Sequence, residues 1–206
     1  MSEYLAAIPI GIFLSFMIGP VFFVLLETAI TKSIKEALFF DFGVILGDIS
    51  FILIAYFSSY AVLLKLKDNP KLYLFGGGIM AIYGVISFFK AQKEQTKPQH
   101  ISVEETSLLK HTLKGFLLNF MNIGVLGFWL GILINIGPKL DMNGGKIATY
   151  FALIISGYFI SDLIKISIAK KLKEKLTTKK IIQLKKIVAL IIIVFGLFLT
   201  IKTQII

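Results

Sequence analysis

The residues of this chain best placed to do chemistry are a few carboxylates and amides set inside long apolar runs. Asp48 closes the run GVILGD and Asp162 closes GYFISD, each five residues after a glycine, Gly43 and Gly157. A carboxylate in hydrocarbon is costly and normally faces a bundle interior, a water-filled cavity or a partner group. Both aspartates are therefore candidate proton acceptors. The competing reading is an interhelical structural hydrogen bond or, for Asp162, an ion pair with Lys165 three residues on along the same helix face. Asp41 lies two helical turns before Asp48 on the same face, where it either lines an aqueous entrance or is an exposed acid at a helix end.

Polar groups that could meet a solute come from two other places. Gly19-Pro20 interrupts FMIGPVFF, where proline lacks an amide hydrogen and its ring disfavours the helical bond to Phe16. In hydrocarbon such a break is tolerated where protein or a cavity satisfies the freed backbone. Asn119 and Asn122, three residues apart, occupy neighbouring positions on one helix face and offer both donors and acceptors. They either line a cavity or join helices. Gly43 with Gly47, Gly157, Gly127 with Gly131, and the triplet Gly76-Gly77-Gly78 suit close helix contact or self-association.

Other chemistries are excluded by residue type. There is no Cys, hence no disulfide, thiol nucleophile or cysteine metal site; there is no Arg, and the two histidines, His100 and His111, sit in one polar stretch. No catalytic dyad, metal-ligand set or cofactor motif emerges. An enzyme would have to use Asp48 and Asp162 as a pair, and a scaffold without cargo is the other alternative to a solute pathway.

What must position these residues is a set of membrane helices. Hydrophobic residues make up 56% of the 206 and charged residues 17%, against about 45–50% and about 25% in soluble domains. Mean hydropathy is +0.85. Six apolar segments follow one another at about 4–26, 37–64, 72–89, 115–136, 147–169 and 187–201. A span needs about 20 residues, so four qualify outright and the third and sixth are short. The start, MSEYLAAIPIG, has no lysine and no small-residue cleavage site, so the first segment is expected to be retained. The connection at 90–110 mixes both charges with Pro98, and its end could open a helix through a Ser102/Glu105 capping box.

Net charge is +10, and all 22 basic residues are lysine. Sixteen of them fall in the connections after segments one, three and five, counting Lys165 with the connection that follows it. The positive-inside rule puts those connections in the cytoplasm and both termini outside. The run from Lys170 to Lys186 reads mainly as this orientation signal, with lipid headgroups as its nearest ligand. Nucleic acid is not expected, since no Arg or aromatic platform accompanies the lysines.

The segments also repeat. GIFLSFMIGPV from Gly11 matches GFLLNFMNIGV from Gly115, GVILGD matches GYFISD, and Gly84 and Gly196 close the series. The chain divides into repeat one at about 4–89, a cytoplasmic linker at about 90–113 and repeat two at about 114–203, within one transmembrane domain. A three-span unit repeated in tandem enters the membrane in opposite orientations, an arrangement that recurs in secondary transporters with a site near the midplane. The expected fold is all-α: six transmembrane helices as two inverted three-helix repeats.

These features together resemble the LysE/RhtB family of amino-acid exporters. The likeness covers essentially the whole chain and rests on Gly19-Pro20, on Gly43, Gly47 and Asp48, and on KGFLLN from Lys114 to Asn119 leading into Asn122. Membership implies export of an amino acid or related small metabolite across a bacterial cytoplasmic (inner) membrane, with the proton as coupling ion and no other cofactor. It carries the family's Gly-Pro, Gly/Asp and Asn motifs onto Gly19, Pro20, Gly47, Asp48, Asn119 and Asn122. Together with the repeat, this makes Gly19, Pro20, Asn119 and Asn122 the expected substrate pathway and Asp48 or Asp162 the expected site of proton coupling. The expected partners are membrane lipids and the solute, and the glycine-lined faces leave room for a homodimer. Two departures stand out: Ile18 precedes Gly19 and Ile123 follows Asn122 where the family usually has Pro, so a break in the fourth span does not follow from the sequence.

Overall fold

In a computed structural model, residues 3–58, 70–96, 107–173 and 176–202 are described. Among them the chain is all helix: α1 (Ala7–Ser15), α2 (Pro20–Thr31), α3 (Ile34–Phe57), α4 (Pro70–Thr96), α5 (Leu108–Phe120), α6 (Ile123–Ile136), α7 (Gly144–Lys173) and α8 (Thr178–Lys202), with short 3-10 turns at Glu3–Ala6 and Pro138–Leu140. α3, α4, α7 and α8 are each long and apolar enough to cross a membrane. The other two spans are broken. The segments Tyr4–Ser15 and Pro20–Thr31 are bent away from a common line by 70°, and Leu108–Phe120 and Ile123–Ile136 by 69°. Two arms of about 18 Å at that angle put their ends about 30 Å apart, a hydrocarbon thickness. The protein is a multi-pass membrane protein.

The helices differ from the sequence reading in their lengths, and the fourth span settles a point the sequence left open. The third and sixth helices, read as short, run over Pro70–Thr96 and Thr178–Lys202, because lysine-rich turns continue each helix past its apolar part. Lysine stems cover apolar surface while the ammonium reaches water, so hydropathy underestimates such helices. The fourth span is broken although it lacks proline. The Ser102/Glu105 pair lies outside the described residues, and the helix it was expected to open starts at Leu108. His111, assigned to a polar connection, is instead a buried residue of α5, with Nε2 3.9 Å from Glu36.

Local signals explain the clearest helix starts. Ser33 caps α3: its Oγ accepts from the Glu36 amide at 3.2 Å and donates to the Glu36 carboxylate at 2.7 Å. Pro20 occupies the first position of α2, where its missing amide costs nothing, after an extended Gly19 at φ −159° and ψ 179°.

The helices pack with two-fold pseudo-symmetry. α1 lies on α7, α3 on α5, and α4 on α8, so each repeat lends its broken span to the second helix of the other, and the two third helices pair together. Glycine makes these contacts close. A Cβ on Gly11 would collide with backbone of Ile154, and one on Gly157 would meet the Ile8 carbonyl at 2.6 Å. In the symmetry-related interface, a Cβ on Gly43 would strike backbone of Thr112 and one on Gly115 backbone of Phe40. Gly77 and Gly196 do the same for α4 and α8. Gly78, Gly127 and Gly131 face open space within this chain.

Polarity runs inside out. Large apolar side chains such as Phe57, Phe75, Ile168 and Val194 are exposed, as a lipid-facing surface requires, while Asp41, Asp48, Asn119, Asp162 and Lys165 are buried.

Candidate functional site

The two breaks face each other across a cavity of about 120 Å³ between the repeats. Gly19, Pro20, Asp48, Asn119, Asn122 and Asp162 all line it. Asp41, Gly43, Gly47 and Gly157 do not. Gly43 and Gly157 are the close-packing points described above, and Gly47 leaves room for the Asn119 side chain, whose amide nitrogen would be 3.0 Å from a Cβ there.

Asp48 is the hub on one side. Its Oδ1 accepts from Asn119 Nδ2 on α5 and from Trp129 Nε1 on α6, both at 2.9 Å. Asn119 Nδ2 also donates to the Val44 carbonyl at 2.9 Å, which ties α5 to the middle of α3. One carboxylate oxygen therefore holds both arms of the broken fourth span.

Asp162 is the counterpart on the other side, and its surroundings differ. Lys165, one turn further along α7, places Nζ 2.6 Å from Asp162 Oδ1. The same ammonium donates to the Ser15 carbonyl. That carbonyl ends α1, where the interruption leaves it without the usual helical partner, and a cation at a helix C-terminus is favourably placed. The rings of Phe16 and Phe22 lie 5.2 and 5.0 Å from Nζ, within cation–π range. The repeat aligns Ser15 with Asn119. Each break is thus held by polar groups from the second helix of the opposite repeat: Asp48 directly, Asp162 through Lys165.

Asp41 is not an exposed helix-end acid, since it is completely buried. Its Oδ1 accepts from the Tyr158 hydroxyl at 3.1 Å, its carboxyl group faces that of Asp162, and its Oδ2 meets no donor among the described residues. α3 is 24 residues long, and Asp41 and Asp48 fall on either side of its midpoint rather than one at an end.

Four residues of this site were not singled out as site residues from the sequence: Ser15, Trp129, Tyr158 and Lys165. Trp129 carried a readable signal, being the sole tryptophan and lying inside a span, where a buried indole N–H requires an acceptor. Ser15 could have been reached through its alignment with Asn119. Nothing in the sequence distinguished Tyr158 from the other apolar-run aromatics.

The LysE type translocator family matches residues 12–203. The chain belongs to this family. It is similar to the putative amino acid efflux protein YcgF of Bacillus subtilis (strain 168), with 26% identity over 202 residues, covering 96% of this chain and 95% of that protein. No solved structure matches. Membership identifies the protein as a helical membrane transporter and not an enzyme, and a polar cavity lies between the broken spans of this LysE type translocator.

Proposed function

We propose that this translocator exports amino acids or similar small metabolites across the bacterial cytoplasmic membrane by proton-coupled secondary transport. The observation that carries the reading is the cavity at the meeting of two broken spans, lined by buried charged and amide side chains. A dry, fully packed centre would have favoured a scaffold instead. The printed name of the YcgF relative, a putative amino acid efflux protein, points the same way. Alternating access would come from movement of one repeat against the other about the fixed site.

Between the two proton-coupling candidates, Asp162 has the better surroundings. Its carboxyl group faces Asp41, and the one ammonium in contact, Lys165, offsets only one of the two charges. Two buried carboxyl groups that face each other, with one ammonium in contact with only one of them, make a place where a proton can be held. Asp41 thereby becomes part of the proton site and not of an entrance. Lysine placement supports cytoplasmic connections after spans one, three and five with both termini outside. A homodimer also belongs to this reading, with the open Gly127/Gly131 edge of α6 as its surface.

The deciding experiment is a proteoliposome flux screen over amino acids with and without an imposed pH gradient. Flux that responds to the gradient and loses that response in Asp162→Asn is the expected result. Gradient-independent flux with an unchanged Asp162→Asn protein would rule out the coupling, and absence of flux for every amino acid would rule out the cargo class.

A further inference from the structure

The cavity is chemically unsymmetrical. Donors converge at its α1/α2 end. Ser15 is 3% exposed, lines the cavity, and its Oγ has no hydrogen-bond partner among the described residues. A buried hydroxyl left unpaired is costly, so the group is provided for something absent from the resting protein. The Lys165 ammonium also lines the cavity, where it donates to the Ser15 carbonyl and forms an ion pair with Asp162 at 2.6 Å. The 12-residue α2 opens beside them: the amides of Val21 and Phe22 precede its first bond, from the Phe23 amide to the Gly19 carbonyl at 3.3 Å.

The opposite end is an acceptor. Asp48 is buried, and both of its hydrogen bonds come from neutral N–H groups and end on Oδ1, so Oδ2 remains for the cavity. Among the described residues the only ammonium lining the cavity, that of Lys165, is already paired with Asp162. Asn122 also lines the cavity and carries an amide oxygen. Leu14, Val21, Val44 and Val125 make up much of the remaining wall.

We propose that this cavity binds a zwitterionic α-amino acid in one fixed polarity. The carboxylate lies on Ser15 Oγ, Lys165 Nζ and the N-terminus of α2; the α-ammonium lies on Asp48 with Asn122; the side chain lies against the apolar wall. The inference rests on the amino-acid reading above and narrows it. A volume of about 120 Å³, below the roughly 300–1,000 Å³ of common ligand sites, favours small cargo such as alanine or valine. A second ammonium, as in lysine, would find Asp162 already occupied by Lys165, so amino acids with neutral side chains are preferred over those with cationic ones.

The test uses counterflow of L-valine and L-alanine in proteoliposomes of the unmodified protein, with analogues that each lack one charged group. Valinamide lacks the carboxylate, 2-hydroxy-3-methylbutanoate lacks the ammonium, and both should compete at least tenfold more weakly than valine, as should L-lysine. Ser15→Ala should raise KM for valine about tenfold while leaving competition by valinamide within about twofold. Asp48→Asn should weaken valine and valinamide and spare the hydroxy acid. Equal loss of valine and valinamide in Ser15→Ala would mark a packing role and overturn the proposal, as would an analogue competing as well as valine in the unmodified protein. If lysine moves and valine and alanine do not, amino-acid export stands and this site assignment falls. If the amide or the hydroxy acid moves and no amino acid does, the amino-acid cargo of the export reading is the part that fails.

Discussion

Replacing Trp129 by Phe isolates one charge-assisted hydrogen bond at the centre of the molecule. Trp129 is fully buried, and its indole N–H reaches Asp48 Oδ1 at 2.9 Å while its ring contacts Phe128 and Phe151 at 5.2 and 5.6 Å between centroids. Neutral interhelical hydrogen bonds in membrane proteins average about 0.6 kcal/mol and reach about 1.7. Bonds to an ionised acceptor are worth about 1.5–3 kcal/mol. The substitution also thins the ring packing, which confuses a single measurement. A double-mutant cycle with Asp48→Asn removes that term, because the packing loss is common to both backgrounds and the Asn carbonyl still accepts a neutral bond. The coupling energy expected is the difference between the two kinds of bond, about 1–2 kcal/mol, or a factor of about 5–30 in the folding equilibrium. Unfolding of the four proteins by detergent titration in mixed micelles measures it. A coupling within about 0.5 kcal/mol of zero would refute an ionised Asp48, and with it the ammonium-binding role proposed for that residue.

Three further outcomes follow from the geometry. Gly115→Ala should push α5 off α3, because a Cβ there collides with backbone of Phe40, and cost about 1–3 kcal/mol or more; Gly78→Ala, which meets nothing, should stay within about 0.5 kcal/mol in the same titration. Asp141 lies outside the spans, and the hydrogen bond from Lys146 at 2.7 Å holds its carboxyl group below the usual range. Its contribution is present above the ordinary carboxylate pKa and is lost only as pH falls through the lowered value, so Asp141→Asn should leave the flux profile between pH 5 and 8 unchanged, whereas Asp162→Asn should flatten it. The chain has no cysteine, so single-cysteine labelling starts from a clean background: Asn143→Cys should react from outside intact cells and Lys180→Cys only after permeabilisation, and the reverse pattern would invert the topology read from the lysines.

How much of this was legible in the sequence depended on the kind of signal. Six apolar runs and the glycines at repeat-related places led to the helices and to their closest contacts, since both are local consequences of residue type. Gly19-Pro20 announced the first break for the same reason. Lys165 was visible only as a partner three residues from Asp162, because its second contact, with the Ser15 carbonyl, spans 150 residues of chain. Asp41 looked like a boundary acid because its burial depends on Tyr158, 117 residues away.

The break in the fourth span was not legible, and the reason is tertiary. No proline marks it, and the side chain of Asn122, at the junction, makes no capping bond. Asn119 and Trp129 nevertheless donate to the same oxygen of Asp48. In a straight helix, residues ten apart are separated by about 15 Å along the axis and by about 80° around it, so no single atom could accept from both. Folding the span at 69° brings the two donors together. Asp48 therefore does on the second repeat what proline does within the first: it selects a broken helix, through a bond instead of through a missing one. The carboxylate that fixes the break also lines the cavity, so in the proposed site cargo binding and the geometry of the fourth span are linked through a single side chain.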